Sequence, residues 1–515
     1  MKNKILIFII FAILGSGCKK SLELTPTTPT AASFYTTPAE FNDALTAAYS
    51  PLQTEFGLPF QYIYYQADDD IVSQFAMYND LNWLTTDGQI QSIYYYLSVG
   101  VYRCNIIFQN IQNPAVQFTS ASPYSKNVII GQAEFLRALY DFYFSICFYE
   151  PPLINHVLQP NEYGIQKNST QKAFYSSIAS DLTDAASKLP ASWGSTDIGR
   201  ATSGAAWGLL GKMYMYAQNW DSAEICFNNV INSGQYSLIQ PTGLTNTKSD
   251  SILYISAYLQ NFQATHKNNS ESLFEVQFLD DIGTNGFLPG WLAAGSMLSA
   301  YFSLDGYKNI APRSTYASQF ESPGPVGMLY DPRKYGTVFV NGDIMIGDNP
   351  AEYPLQGLPF EDKNYMTIVD QGFGVKKYYY PQHYNKVDIT QADPDNWRLL
   401  RYDDILLMYA EADLQLNRAS GTGLQYLNSV RARSGMPPIA ILTPAAIMHE
   451  RQVELGLECL RYHDLVRWSL LPNNSWGVSV SNYIPTFVKG KNEYLPIPQY
   501  EIDYMNGNLK QNPGY

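Results

Sequence analysis

Two stretches of the sequence have the residue spacing of a packed helix pair, and this pattern restricts the fold more than any other feature. The first is W-x2-L-G-x2-Y at residues 207–214, and the second is A-x3-F at residues 223–227. This is the spacing of a tetratricopeptide repeat, in which large residues of one helix pack against small residues of the next. The final proline of that repeat is absent, so the match covers the helix pair only. Asn219 and Trp220 are expected to form the turn between the helices.

Helical periodicity continues on both sides of this pair. Between Gln132 and Tyr149, apolar residues recur at i, i+3, i+4 and i+7, the spacing of one buried helix face. Pro151 and the proline after it end this pattern. A second helix pair with looser spacing is indicated for residues 405–416 and 424–433. The predicted fold class is therefore mainly α, a scaffold of tetratricopeptide-like helix pairs.

The middle of the chain, from Tyr236 to Trp397, has a different pattern. Glycine and proline occur every few residues, helical stripes are absent, and aromatic residues remain abundant. Long loops in compact proteins commonly carry binding residues on a rigid scaffold. We therefore expect a single domain over residues 34–515, in which a large irregular, loop-rich region at 236–397 carries the binding surface. Helical parts at 34–235 and 398–515 would flank it.

The first residues of the chain predict export from the cytoplasm. Two lysines precede ten apolar residues at 5–14, and the small residues 15–17 stand just before Cys18. An apolar run of this length is typical of a signal peptide, since a membrane-spanning helix needs about 20 apolar residues. Residues 1–17 are therefore predicted to be a lipoprotein signal peptide, with Cys18 as the lipidated first residue of the mature chain. Ordinary signal cleavage that leaves Cys18 as a free thiol is the alternative.

Polar residues and two prolines follow Cys18, so residues 18–33 are expected to form a flexible tether. The remaining cysteines have neither metal-ligand nor redox spacing. They are Cys104, Cys147, Cys226 and Cys459. We expect buried thiols here, although an oxidising compartment also permits a disulfide.

Charge and aromatic content narrow the range of ligands. The 33 Lys and Arg residues against 46 Asp and Glu residues give a net charge of −13. A nucleic-acid backbone would be repelled, so no nucleic-acid partner is expected. The chain also contains 41 tyrosines, more than a core of this size normally uses. Exposed Tyr and Trp offer an apolar face and a polar edge, as a sugar ring does, but compositional drift in a stable helical protein remains an alternative explanation.

Motifs for catalysis or cofactor binding are not found in the sequence. It has no Gly-x-Ser-x-Gly turn, no phosphate-binding loop and no dinucleotide fingerprint. His449-Glu450 begins like a zinc protease motif, but Val453 occupies the place of the second His. The acidic residues 68–70 lack the alternating spacing of a calcium loop. We therefore expect no catalytic residue, no metal and no cofactor.

Three glutamates recur at i, i+4 and i+8 in a helix predicted for Ile447 to Leu460. They are Glu450, Glu454 and Glu458. A glycosidase needs two carboxylates on opposite sides of a cleft, about 5 to 9.5 Å apart and usually from different elements. Three carboxylates on one helix face do not meet that requirement. Ion pairs with the nearby Arg451, Arg461 and Arg467 are the favoured interpretation.

A series of motifs along the chain carries a family resemblance. In chain order they are A-E-F-L-R-A-L-Y at 133–140, G-R-A-T at 199–202, D-P-R at 331–333, R-Y-D-D-I-L-L-M-Y-A-E-A at 401–412, L-N-S-V-R-A-R at 427–433, E-R-x2-E-L-x2-E-x2-R-Y-x-D-L-x-R-W at 450–468, Y-L-P-I-P at 494–498 and Q-N-P-G-Y at 511–515. In this order the motifs resemble the SusD/RagB family. The resemblance covers essentially the whole mature chain, so residues 34–515 resemble a SusD-like domain.

The resemblance implies an outer-membrane lipoprotein, anchored through lipid at Cys18 and facing the cell exterior. Such a protein would cap a SusC-like TonB-dependent transporter and capture nutrients, usually oligosaccharides or polysaccharides, without catalysing a reaction. The shared motifs of the family are mostly structural. Arg401, Glu411 and Arg461 are therefore not expected to contact the ligand.

Aromatic and amide residues on loops are the candidates for sugar binding, because a sugar needs ring stacking and hydrogen bonds in one pocket. One candidate loop is Met77 to Gly88, and the other is Gly286 to Tyr307. The predicted ligand-binding residues are Trp83, Trp291, Tyr78, Asn82 and Tyr301. For each ring, core packing beneath a loop is the alternative.

Two other functions are kept beside glycan capture. The fold that the family resemblance implies does not specify which ligand is bound, so capture of a non-glycan nutrient such as a peptide is the first alternative. A glycosidase is the remote alternative, because the sequence contains no recognisable pair of catalytic carboxylates.

Overall fold

The computed structural model describes residues 34–57, 59–73, 75–121, 123–279, 295–296, 298, 310–340, 372–379 and 394–515. The fold is mainly helical, as the sequence predicts. The helices before residue 236 are α1 (Pro38–Gly57), α2 (Pro59–Ala67), α3 (Ala76–Asn79), α4 (Gly88–Asn110), α5 (Lys126–Phe148), α6 (Gln171–Lys188), α7 (Ser203–Tyr216) and α8 (Trp220–Ile231). From α4 to α8, each helix packs against the next one along the chain.

Helix α5 shows how local sequence sets these boundaries. The hydroxyl of Ser125 caps its N-terminus by accepting a hydrogen bond from Val128 N at 3.3 Å. At its C-terminus, Tyr149 adopts a positive φ of 63°, and Pro151 follows two residues later. The helix predicted between 132 and 149 is therefore confirmed, with a start six residues earlier because the cap lies there.

The predicted tetratricopeptide-like pair is present as α7 and α8. Asn219 caps α8 through its side-chain oxygen, which accepts from Ser222 N at 3.3 Å. A Cβ atom at Gly211 would overlap the ring of Phe227. The close approach of the two helices therefore requires glycine at position 211, as the repeat pattern predicts.

The helices after residue 236 are α9 (Ser251–Leu259), α10 (Ser314–Ala317), α11 (Pro332–Thr337), α12 (Tyr402–Gln415), α13 (Thr422–Arg433), α14 (Pro444–Leu455), α15 (Arg461–Ser469) and α16 (Gln499–Tyr504). The second predicted pair corresponds to α12 and α13. Helix α12 also packs against α8, so the C-terminal pair continues the stack formed by the N-terminal helices.

Short antiparallel strand pairs connect distant parts of the chain. The strands are β1 (Ile71–Ser73), β2 (Ser272–Val276), β3 (Ile310–Pro312), β4 (Val338–Val340), β5 (Phe373–Val375) and β6 (Trp397–Arg401). They pair as β1 with β3, β2 with β6, and β4 with β5. Each pair includes at least one strand from the middle of the chain. The described parts of residues 236–397 thus consist of short elements separated by irregular stretches.

One large apolar core contains residues from both ends of the described chain, from Phe41 to Leu509. A smaller cluster lies between α12, α13 and α14, around Leu406, Leu427 and Ile447. Because the N-terminal and C-terminal helices share the large core, neither set can bury its apolar side chains without the other. The internal boundaries at residues 236 and 398 stay predictions.

The cysteines at 104, 147, 226 and 459 are all buried free thiols. Burial raises the pKa of Cys104, Cys147, Cys226 and Cys459 above the usual thiol value. The expectation of buried thiols is confirmed, and their role is core packing.

A buried network of ion pairs lies where the middle of the chain meets the C-terminal helices. We call it the arginine–carboxylate network; its members are Arg333, Arg401, Arg431, Arg433, Lys377, Asp331, Asp403, Glu271, Glu450, Glu454 and Glu458. All of these side chains are buried. Charges so far from water are stable only when oppositely charged partners and hydrogen bonds compensate for lost hydration.

Glu454 is at the centre of this network. Its Oε2 accepts from Arg333 Nη1 at 3.0 Å, its Oε1 accepts from Arg401 Nη1 at 3.1 Å, and Arg433 Nη2 also donates to Oε1. Burial opposes ionisation of Glu454, but the guanidinium groups of Arg433, Arg401 and Arg333 outweigh it and hold the pKa of Glu454 well below its usual range.

The prediction that the three glutamates form ion pairs is confirmed, but the predicted partners were wrong. Glu450 pairs with Arg333 and Arg431, and Glu458 pairs with Arg401 and Lys377. These partners come from segments that are remote in sequence, so helical spacing could not reveal them.

The predicted helix over residues 447–460 was also too long. Helix α14 ends at Leu455, and Gly456 has an extended backbone with a ψ of 143°. A Cβ atom at Gly456 would overlap the hydroxyl of Tyr316, so this buried ring occupies space beside the chain where α14 ends. Glu458 therefore lies outside the helix that carries Glu450 and Glu454.

The three arginines predicted as partners have other carboxylates. Arg451 pairs with Asp404 and Asp464, as the distances of 2.7 and 2.8 Å show. Arg467 pairs with Glu411, while Arg461 pairs with Asp69. The C-terminal motifs thus contribute to structural ion pairs; that Arg401, Glu411 and Arg461 do not contact ligand stays a prediction.

We predict that Glu454→Gln lowers the free energy of unfolding by about 3 to 5 kcal/mol, because it leaves three buried guanidinium groups short of one counter-charge. Denaturant unfolding followed by circular dichroism measures this change. Asp184→Asn is the control, because Asp184 pairs with Lys188 at the surface and the loss should stay below about 1 kcal/mol. Equal losses in the two variants would contradict a central role for Glu454.

Candidate ligand-binding face

The pairing of β1 with β3 joins the strand before one predicted ligand loop to the strand after the other. Ile71 lies opposite Pro312 and Ser73 lies opposite Ile310, in antiparallel register. The loop predicted at 77–88 begins four residues after β1, and the loop predicted at 286–307 ends three residues before β3. The two loops therefore start from neighbouring strand ends. Nothing in the local sequence around either strand predicts this pairing.

Side-chain hydrogen bonds secure the first loop next to β3. Arg313, the residue after β3, donates from Nη2 to Asn79 Oδ1 at 3.2 Å. Asn79 in turn donates from Nδ2 to the backbone oxygen of Gln66 at 3.0 Å. Phe75, between β1 and α3, keeps 36% of its surface exposed. We call the surface formed by Phe75, Asn79, Asn82 and Arg313 the β1–β3 face.

An acidic turn, residues 68–70, precedes β1 and holds the β1–β3 face in place through hydrogen bonds. Asp69 accepts from Arg461 at 2.8 and 3.0 Å, and Asp70 accepts from Gln452 Nε2 at 2.6 Å. Asp70 O also accepts from Arg313 N at 2.8 Å. The turn therefore connects β1 to α14 and α15 as well as to the residue after β3.

Two carboxyl groups of this turn, those of Asp68 and Asp70, are buried, while Asp69 is partly exposed. Burial and the neighbouring carboxylates raise the pKa of Asp68 well above its usual range. Burial, together with the Asp69 carboxylate, raises the pKa of Asp70 to about 7, although Arg461 and the hydrogen bond from Gln452 oppose the increase. Within the described residues, no group of three or more His, Cys, Asp or Glu side chains has the arrangement of a metal site. The turn is therefore assigned a structural role.

Two of the predicted ligand-binding rings are part of the core. Trp83 is 3% exposed, and its ring packs edge-on against Tyr462 of α15 with centroids 5.8 Å apart. Tyr78 is 5% exposed and donates from its hydroxyl to Asp87 Oδ2 at 2.9 Å. Asp87 is the N-cap of α4. For these two rings, the placement favours the alternative of core packing beneath a loop.

Asn82 is exposed at the end of the short turn that follows α3. Its backbone N–H donates to Met77 O at 2.9 Å, so the residue lies next to α3. Trp291 and Tyr301 lie outside the described residues, as does Cys18. The structure thus brings Asn79 together with Arg313 and exposes Asn82 three residues further along the same loop, while the role of Trp291 and Tyr301 stays a prediction.

The sequence did not single out Arg313 as part of this face. Its contact with Asn79 depends on strand pairing between segments that are far apart in the chain, and no local motif reports such pairing. Asn79 lies in the loop predicted at 77–88, but the sequence did not predict its hydrogen bonds to Gln66 and Arg313.

The helices of the described chain contain no segment with the length and apolar character needed to span a bilayer. The fold is that of a helical-repeat protein in which a loop-bearing middle is attached to the helices by strand pairs and buried ion pairs. Comparison with known proteins agrees with this class and gives the family.

Two family models match the chain. The model described as "SusD family" matches residues 293–515, and the model described as "Starch-binding associating with outer membrane" matches residues 30–215. The chain belongs to the SusD/RagB family, as its motifs imply.

Relatives and solved structures match over nearly the full length. SusD-like protein P25 of Formosa agariphila is 24% identical, over 96% of this chain and 95% of the relative. A SusD-like protein of Bacteroides fragilis superposes with a TM-score of 0.76 at 22% identity, covering 95% of this chain and 100% of that structure. Surface glycan-binding protein A of Bacteroides thetaiotaomicron, in complex with laminarihexaose, superposes with a TM-score of 0.71 at 22% identity, covering 93% and 100%.

We predict that Asp70→Asn stabilises the protein more at pH 8 than at pH 5. Between pH about 4 and about 7, the unfolded carboxyl ionises while the folded one keeps its proton, so the contribution of Asp70 to stability falls as pH rises. The uncharged amide removes this loss. Denaturant unfolding of both proteins at the two pH values measures the difference.

Asp80→Asn is the matched control for this experiment, because Asp80 is an exposed carboxylate of the neighbouring loop. Its effect on the free energy of unfolding should be small and the same at both pH values. A change in Asp70→Asn that is independent of pH would contradict the proposed burial of an ionisable Asp70.

Proposed function

We propose that this protein binds oligosaccharides at the cell surface on its β1–β3 face and delivers them to a SusC-like TonB-dependent transporter. The observation that carries the proposal is the β1–β3 pairing, which joins the strand before one candidate loop to the strand after the other and places Arg313 against Asn79. Family membership supports it, since one matching family model is described as starch-binding and a structural neighbour is a glycan-binding protein in complex with laminarihexaose.

The chemistry of the described face fits a sugar. Phe75 offers an exposed ring edge, while Asn82 offers an exposed amide that can both donate and accept hydrogen bonds. Sugars present apolar C–H faces and polar rims to the same site, so they need this combination. Trp291 and Tyr301, predicted from the sequence, would add the stacking surface.

We also propose that the protein catalyses no bond cleavage. The three glutamates that the sequence brings closest to a catalytic arrangement, Glu450, Glu454 and Glu458, are buried and bonded to arginine or lysine side chains. A general acid must hold and release a proton at the substrate, which a carboxylate surrounded by guanidinium groups does not do. A glycosidase is therefore the remote alternative.

The ligand is tested by affinity electrophoresis of the purified protein in gels that contain one polysaccharide each, with β-1,3-glucan and starch in the panel. We predict retardation by at least one polysaccharide. The variant with Trp291→Ala and Tyr301→Ala should lose most of this retardation, while its melting temperature changes little because the proposal assigns these rings to the ligand and not to the core.

Tyr124→Ala is the control for that variant, because Tyr124 is an exposed ring just before α5, outside both candidate loops. It should bind polysaccharide as the parent protein does. Binding of a peptide library without any polysaccharide retardation would instead support the alternative of a non-glycan nutrient. Polysaccharide hydrolysis that is lost on changing one Asp or Glu would support the glycosidase alternative.

We further propose that lipid at Cys18 anchors the protein in the outer membrane with the folded domain outside the cell. We predict that Cys18→Ser moves the protein from the outer-membrane fraction to a soluble fraction, because the lipid chains are then absent. Immunoblotting of fractionated cells measures the distribution. Cys226→Ser changes a buried thiol and should leave the protein in the membrane fraction. Membrane retention of Cys18→Ser would contradict this anchor.

A further inference from the structure

A cavity that is separate from the β1–β3 face lies between α4, α5, the loop at 151–166 and α16. Its volume is about 240 Å³. We call it the tyrosine pocket; its main lining residues are Tyr94, Tyr102, Asp141, Phe144, Tyr163 and Glu501. Apolar side chains dominate the rest of the lining, so any charged group in it is poorly hydrated.

Asp141 is a buried carboxyl group that no side chain of the described chain compensates. It is 3% exposed, and only burial and two charges at a distance, those of Arg137 and Asp181, act on its ionisation. Arg137 stands one turn earlier on α5, but its Nε and Nη2 donate to Asp181 at 2.7 and 2.8 Å, and its Nη1 donates to Asn105 Oδ1 at 2.9 Å. Its hydrogen bonds are therefore directed away from Asp141.

Glu501 is a second carboxyl group in the same lining. Burial alone raises its pKa, and no hydrogen bond to its side chain contributes. Burial, and then the nearby Glu501 carboxylate, raise the pKa of Tyr94, which lines the same pocket. No lysine or arginine lines the pocket. The lining thus contains two acidic side chains together with the imidazole of His156.

Exposed aromatic rings complete the lining. Tyr102 and Tyr163 are each 53% exposed although both line the pocket, which places them at its opening. Aromatic faces and carboxylates attract the same ligand group, because the negative face of each ring and the acid charge both favour a cation. An apolar body attached to that cation would pack against the rings.

From this arrangement we infer that the tyrosine pocket binds an organic ammonium ion, with its charge beside Asp141 and its apolar body against Tyr102 and Tyr163. The ligand class is a primary or quaternary amine on a ring or short hydrocarbon. This site is separate from the β1–β3 face, so the inference does not depend on the proposed glycan function.

Proton release follows from this assignment. Burial raises the pKa of Asp141 well above its usual range, with Asp181 adding to the increase and Arg137 opposing it. A bound cation favours the ionised carboxylates, so each binding event displaces protons and affinity rises with pH. His156 also lines the pocket and pairs with Glu162 at 3.0 Å, so its substitution tests whether the pH dependence belongs to the carboxyl groups.

The experiment compares phenethylammonium with 2-phenylethanol, a neutral molecule of nearly the same shape, by isothermal titration calorimetry on the full protein. We expect binding of phenethylammonium that strengthens from pH 6 to pH 8, and binding of 2-phenylethanol that is at least about tenfold weaker and independent of pH. The pH series is repeated on His156→Gln, in which the dependence should persist.

Asp141→Asn keeps the shape of the side chain and should weaken phenethylammonium binding at least about tenfold. Asp503→Asn changes an exposed carboxylate next to Glu501 and should have no effect. Tyr102→Ala should weaken binding, whereas Tyr95→Ala, an exposed tyrosine of α4 outside the lining, should not. Melting temperature and polysaccharide retardation, measured on the same variants, separate loss of this site from unfolding and from failure of the glycan proposal.

Three results would overturn the inference. They are absence of phenethylammonium binding at concentrations up to about 10 mM, equal affinity for the charged and neutral probes, and unchanged affinity in folded Asp141→Asn.

Discussion

Burial of arginine side chains against carboxylates is the interaction on which the rest of this structure depends. Glu454 of α14 is bonded to Arg333, Arg401 and Arg433, which come from three separate segments of the chain. Replacing one charged side chain of this junction by an apolar one would leave its partners buried and unpaired. The network therefore fixes the positions of the three segments relative to Glu454. Because α11 and β6 belong to the middle of the chain, the network fastens that region to the C-terminal helices.

The candidate ligand face is a consequence of this junction. Asp69 and Asp70 bond to Arg461 and Gln452, so the turn before β1 rests on the same C-terminal helices that hold the network. Strand β1 then determines where β3 lies. The strand before one candidate loop and the strand after the other are thereby held side by side. A rigid scaffold that positions variable loops suits a family whose members share structural motifs but need not share a ligand.

Local patterns predicted the helices well and the ligand residues less well, for one physical reason. The helix pair at 203–231 follows from periodicity and from a glycine that admits Phe227, both of which are local features. Trp83 has no helical period and stands in a turn, so it resembled an exposed loop ring. Its burial is produced by Tyr462, a residue of α15 that is distant in sequence. Likewise, the spacing of Glu450 and Glu454 predicted ion pairs but not the partners, since those come from other segments.

The sequence by itself determined the helical-repeat class, the family, the buried state of the cysteines and the paired state of the acidic helix, because each depends on spacing or on ordered motifs along the chain. Tertiary structure alone decided which residues meet: the pairing of β1 with β3, the contact of Arg313 with Asn79, and the burial of Asp141 in a pocket that Glu501 also lines. The physical reason is that such contacts depend on how whole elements pack. Solvent exposure, hydrogen bonding and charge compensation of a side chain are then set by neighbours that the local sequence does not contain.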